Sequence, residues 1–125
     1  MVLASPNASI HSQTALHYCQ AALTAGHSII RLFFYHEGAY LANTANCVPQ
    51  DEIDLPASWQ SFITENKLDA VVCIASGLKR GMLDNTEAQR YEKNNTVLSE
   101  AFELSGLGQW IDAVNTADQH IVFGK

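Results

Sequence analysis

The stretch that most constrains this chain is Leu68-Asp69-Ala70-Val71-Val72-Cys73-Ile74, followed by Ala75-Ser76-Gly77-Leu78-Lys79-Arg80-Gly81. Val71, Val72, Cys73 and Ile74 form an apolar run, β-branched except at Cys73. Such a run suits a strand covered on both faces, as in a parallel sheet. Small residues follow, and then the adjacent cations Lys79 and Arg80. Ligands and chemistry in an open parallel sheet gather at the carboxyl edge of the strands. The pattern places Cys73 near that edge. A thiol is nucleophilic as its thiolate, which nearby cations or a helix N-terminus favour. Lys79 and Arg80 are therefore candidate stabilisers of a reactive Cys73. The plainer reading is a buried cysteine packing as a small hydrophobe, and on pattern alone it is the commoner one.

Length and charge narrow the classes. A chain of 125 residues with 47% apolar content suits one domain, 1–125, with one core. A formal net charge of −6 argues against a nucleic-acid surface. Cys19, Cys47 and Cys73 are scattered, with no CxxC and no zinc-site spacing. Free thiols fit a reducing cytosol. No stretch approaches the roughly 20 apolar residues of a membrane span, and the N-terminus lacks a signal-peptide pattern. The expectation is a cytoplasmic protein that binds neither membrane nor nucleic acid directly and needs no metal or cofactor.

Taken in order, Met1 to Ala4 reads as the shortened end of a first strand. From Ser12 to Ala25 the apolar residues Ala15, Leu16, Cys19, Ala22 and Leu23 recur at helical spacing, with Gly26 as the stop. That stripe makes Cys19 a core residue. Ile29 to Tyr35 is β-prone. The segment His36 to Asn43 reads as a loop at the same sheet edge as Cys73. There His36 and Glu37 are possible site-edge residues, although solvated strand-end residues are the commoner case. Cys47 falls in a polar loop and lacks a neighbouring cation. Asp54 is a natural N-cap, with Pro56 in the first turn and Trp59, Phe62 and Ile63 on the buried face. Thr86 to Tyr91 suggests one or two helical turns. Val97 to Leu104 reads as a short helix, with a strand or an interface segment as alternatives. Ser105 is the expected N-cap of a last helix with the stripe Leu107, Trp110, Ile111 and Val114, and His120 to Phe123 reads as a closing strand. Tyr40, Leu41, Met82 and Leu83 read as apolar loop residues at the active edge, suited to a partner. The alternation predicts an α/β fold with a mainly parallel sheet and helices on both faces.

Three stretches carry a more specific signal. Phe33 to Tyr40 (FFYHEGAY), Cys73 within Val72 to Gly81 (VCIASGLKRG), and Leu104 to Gly108 (LSGLG) together resemble the DsrE/TusD family of sulfur-relay subunits, and Ile53-Asp54-Leu55 brings the chain closer to its TusD branch. The resemblance runs from Val2 to Phe123, with the chain starting inside the family's first strand. It implies a three-layer α/β/α fold on five mainly parallel strands. It implies a sulfurtransferase that carries sulfur as a persulfide on Cys73. It also implies a hetero-oligomer with two related small subunits, an upstream sulfur carrier protein, and a downstream carrier with a mobile cysteine tail. In the TusD branch the sulfur ends in 2-thiouridine at the tRNA wobble position; in the DsrE branch it serves sulfur oxidation. A non-catalytic scaffold subunit and a flavodoxin-like nucleotide or flavin module are the alternatives from other classes. A scaffold would have no need of the cysteine. A flavin module would need phosphate-cradling loops, and Gly106 and Gly108 match neither G-x-G-x-x-G nor the Walker pattern.

Overall fold

Residues 10–124 are described by a computed structural model. The expected first strand, Met1 to Ala4, lies outside the described residues. Helix α1 spans Ile10–Thr24 and buries Ala15, Leu16 and Cys19, the stripe read from the sequence. It stops where expected. Gly26 takes φ +90°, its N–H donates to Leu23 O, and His27 N–H donates to Ala22 O. Those two bonds satisfy carbonyls that the helix end would otherwise strand.

Strands β1 (Leu32–Phe34), β2 (Ala70–Cys73) and β3 (Glu103–Ser105) form a parallel sheet in the order β1-β2-β3. Phe33 pairs with Val71, Val71 with Glu103, and Cys73 with Ser105. Partners across a ladder point to the same face. Phe34, Val72 and Leu104 therefore share one face, and Phe33, Val71 and Cys73 share the other. The first face carries the main core. There Phe34 and Val72 meet Ala15, Leu16 and Cys19 of α1 and Trp59, Phe62 and Ile63 of α2 (Leu55–Glu65). Phe34 meets Trp59 at 5.3 Å and Phe102 at 5.0 Å, both in T-shaped, edge-on contacts, each pair contributing about 1 kcal/mol beyond its buried area. Asp54 caps α2 by accepting from Ala57 N–H at 3.0 Å, as its sequence position predicts.

After β2 the chain turns at once into α3 (Ile74–Lys79), and a further short helix, α4 (Asn85–Arg90), begins at Asp84, which accepts from Glu87 N–H. The last helix, α5 (Leu107–Thr116), lies on the second face of the sheet, so helices flank both faces.

Several expectations are corrected. The sheet has three strands among the described residues rather than five. Among the described residues His120 to Phe123 forms no strand of this sheet, and only Phe123 stands in a β-bridge. Trp110 Nε1 donates to His120 Nε2 at 3.1 Å, and Phe123 packs against Tyr18 at 5.5 Å. Val97 to Leu104 is not a helix. Leu98 bridges to Asn43, and Glu103 and Leu104 enter β3, because the central strand β2 needs a partner on its second edge. Ser105 is consequently a strand residue, and Gly106 takes the N-cap position of α5. The segment after β1 is a 3-10 helix, His36–Ala42, rather than an open loop. Folding it onto the sheet edge buries Leu41, while Met82 and Leu83 are buried below α3. These residues belong to the chain's own core and do not form an apolar rim.

Gly77 is the close-packing point between α3 and the sheet. A β-carbon there would stand 2.8 Å from Leu104 Cδ2, 3.3 Å from the Met82 carbonyl oxygen and 3.5 Å from Val72 Cγ1. Gly77→Ala is expected to destabilise the fold by about 1–3 kcal/mol, because the carbonyl cannot swing aside as a side chain can. Urea unfolding of the two proteins checks this; an unchanged midpoint would show that α3 has room to shift.

Candidate active site

Cys73 is the last residue of β2 and the N-cap residue of α3. It therefore sits at the carboxyl edge of the central strand, where the sequence places it. Its backbone is at φ −55° and ψ 123°, and its side chain makes no capping hydrogen bond. The first-turn amides of a helix have no intrahelical acceptors, so the thiol lies next to a set of N–H donors that it has not itself consumed. Ser105 is its ladder neighbour.

The thiol is covered. Cys73 is 2% exposed and clusters with Phe33 and Val71, against which Tyr35 and Trp110 pack. This cover is thin compared with the core on the opposite face. α5 has no buried residue, and Leu107 and Ile111 remain about half exposed. Arg31 ties α5 to the sheet. Its Nε donates to Asp69 Oδ2 at 2.9 Å, its Nη1 donates to the Gln109 carbonyl at 2.8 Å, and Nη1 lies 3.4 Å from Asp112 Oδ2.

The 3-10 helix approaches from the β1 side. His36 N–H donates to Ser76 Oγ at 2.8 Å, and Ser76 is buried in the first turns of α3. His36 takes φ +55°, a left-handed conformation uncommon outside glycine. The side chains of His36 and Glu37 are exposed at this edge. The segment lies beside the start of α3, and its contact there runs through the His36 backbone. Ser76 and Trp110 were not singled out as site residues. A serine just after a strand-end cysteine, and a tryptophan in the last helix, were the available signals.

Lys79 and Arg80 lie at the far end of α3, roughly 9–10 Å along the helix from Cys73 at 1.5 Å per residue. Lys79 is exposed. Arg80 turns back: its Nη1 donates to the Ser76 carbonyl at 3.1 Å, and its guanidinium lies 5.8 Å from the Tyr40 ring centroid. Among the described residues neither cation makes an ion pair or hydrogen bond with Cys73.

The other thiols differ. Burial pushes the Cys19 thiol up to about 11, so it stays neutral and inert near pH 7. Cys47 is exposed in its loop, as expected, with its sulfur 3.9 Å from the Ala45 carbonyl oxygen.

The profile of the DsrE/DsrF-like family matches residues 1–123. A protein of Pseudomonas aeruginosa named as a sulfurtransferase TusD homolog is 45% identical over 124 residues, covering 99% of this chain and 95% of that protein. A DsrE-named relative from Allochromatium vinosum is 39% identical, over 90% of this chain and 87% of its own length. The solved structure of the ychN protein from E. coli superposes with a TM-score of 0.76 at 16% identity, covering 98% of this chain and 95% of that one, which shows the shared α/β fold. The chain belongs to the DsrE/DsrF-like family.

The exposure of Cys47, the thin α5 cover over Cys73 and the raised pKa of Cys19 predict an order of thiol reactivity in the native protein: Cys47 fastest, Cys73 next, Cys19 slowest. Trp110→Ala is expected to speed alkylation of Cys73 several-fold and leave Cys47 unchanged. Peptide mass spectrometry after timed alkylation reads all three. Equal Cys73 rates in the two proteins would show that Trp110 does not limit access.

Proposed function

We propose that this member of the DsrE/DsrF-like family is a sulfur-relay sulfurtransferase that accepts sulfane sulfur on Cys73 as a persulfide and passes it to a carrier protein. The observation that carries the reading is the place of Cys73, at the carboxyl end of the central strand and the head of α3. Sulfurtransferase names among relatives that match over nearly the whole chain support it.

The chemistry is an exchange. The Cys73 thiolate attacks the outer sulfur of a donor persulfide. A new S–S bond forms on Cys73, the donor's S–S bond breaks, and the donor leaves as its thiolate. A second exchange hands the outer sulfur to the acceptor thiolate and returns Cys73 as thiolate. The electrons balance within the pair, and no outside oxidant or reductant is consumed. Uncapped amides at the start of α3 suit the thiolate and the persulfide anion. Arg80, folded back over the first turns of α3, is the better placed of the two cation candidates, while exposed Lys79 suits contact with an incoming carrier. His36 and Glu37 flank the same edge.

The 45% identity to a TusD homolog favours a relay ending in tRNA wobble 2-thiouridine, with sulfur oxidation as the DsrE-type alternative. The proposed setting is the cytoplasm, in a complex with two related small subunits, an upstream carrier and a downstream carrier with a mobile cysteine tail. No helix of the described residues is long and apolar enough to cross a membrane.

Loading the protein with a sulfane sulfur donor, digesting it and locating the added mass tests the assignment. The added sulfur is expected on the Cys73 peptide and is expected to vanish in Cys73→Ser. Paired replacement of Lys79 and Arg80 by alanine is expected to slow loading without moving its site. Sulfur retained by Cys73→Ser on Cys19 or Cys47 would overturn the proposal.

A further inference from the structure

Beyond the thiol site, we propose that the cavity beside the C-terminal end of α3 binds a small amphipathic anion, an aromatic or branched aliphatic body carrying one carboxylate or sulfonate. The cavity measures about 390 Å³, within the range of small-molecule sites. Leu78, Leu83 and Tyr91 supply its apolar surface, and Lys79, Lys93 and Asn95 its polar rim.

Charge selects the class of ligand. The chain carries seven basic residues against thirteen acidic ones, yet two lysines line this one cavity. Among the described residues the cations that make ion pairs are Arg31, held by Asp69 and Asp112, and Arg90, held by Glu87. Lys79 and Lys93 have no carboxylate partner among the described residues. The nearby Asp84 is turned away to cap α4. Two lysines in the lining of a largely apolar recess attract an anion, whose apolar part then meets Leu78, Leu83 and Tyr91.

The walls are fixed by backbone as well as side chains. Gly81, in the lining, takes φ +71°, and Glu92, between the lining residues Tyr91 and Lys93 in sequence, takes φ +54°, both left-handed. Asn95, also in the lining, donates from Nδ2 to the Gly81 carbonyl at 3.2 Å. The left-handed Glu92 places Lys93 just beyond the end of α4, where Lys93 N–H donates to Ala88 O. A non-glycine residue in this conformation costs about 1 kcal/mol or more. Here it belongs to the left-handed stop of α4, where Glu92 N–H donates to Gln89 O and Lys93 N–H to Ala88 O, and Lys93 follows directly.

Anilinonaphthalene sulfonate, an aromatic body with one sulfonate, is the probe, and uncharged N-phenylnaphthylamine is its control. Fluorescence titration is expected to show one sulfonate site per chain. Lys93→Glu is expected to weaken it roughly five- to tenfold, as expected for reversing one partly exposed charge, with little effect on the neutral control. Tyr91→Ala is expected to weaken both probes. Tyr91 and Lys93 are exposed, so thermal unfolding of both variants is expected to match the parent. Ile111→Asp, on the exposed α5 face, is the competing variant and is expected to change nothing. No binding, binding unaffected by Lys93→Glu and Tyr91→Ala, or binding abolished by Ile111→Asp would each overturn the proposal.

Discussion

The parallel ladder on both edges of β2 is the interaction on which the rest of this structure depends. A central strand must satisfy its N–H and C=O groups on two sides. β1 does so on one edge and β3 on the other. That requirement pulls Glu103 to Ser105 into the sheet, moves the start of α5 to Gly106, and sets Ser105 beside Cys73. It also fixes which side chains share a face, and so puts Cys73 with Phe33 and Val71 rather than in the main core.

The two faces are unequal. One is closed by α1 and α2 around Phe34, Val72 and Trp59. The other is covered by α5, an element with no buried residue of its own, through Trp110 and the Arg31 contacts to Asp69, Gln109 and Asp112. Stability and access are thereby separated. The heavily packed face holds the sheet, and the lightly packed face holds the thiol. Elements with few buried contacts open at lower free energy than the core does. A carrier that must meet a partner's thiol benefits from lying under such an element, where stray thiols reach it slowly.

Much of this was legible in the sequence, for identifiable reasons. Val71 to Cys73 carries the β-branched pattern of a buried strand, Gly26 ends α1, and Asp54 caps α2, because each signal is local. Cys73, Cys47 and Cys19 fell where the pattern put them: strand end, exposed loop and core stripe. What failed was non-local. Val97 to Leu104 has helix-compatible apolar spacing, and the need of β2 for a second partner overrides it. Leu41, Met82 and Leu83 lie in segments that look like loops, yet the 3-10 helix and α3 fold them inward. The hydrogen bond from His36 N–H to Ser76 Oγ joins residues forty positions apart and leaves no trace in either neighbourhood. The five-strand expectation came from the family resemblance, and the first strand, Met1 to Ala4, lies outside the described residues. His120 and Phe123 also contact Trp110 and Tyr18, pairings that no local pattern reports.

The account stands on Cys73 as the residue that hands sulfur on. The direct measurement is single-turnover transfer of labelled sulfane sulfur to an acceptor thiol from two variants. One keeps Cys73 and has Cys19 and Cys47 replaced by serine; the other has Cys73 alone replaced. Full transfer from the first and none from the second is the predicted result. Transfer from the variant lacking Cys73, at the rate of the parent protein, would contradict it.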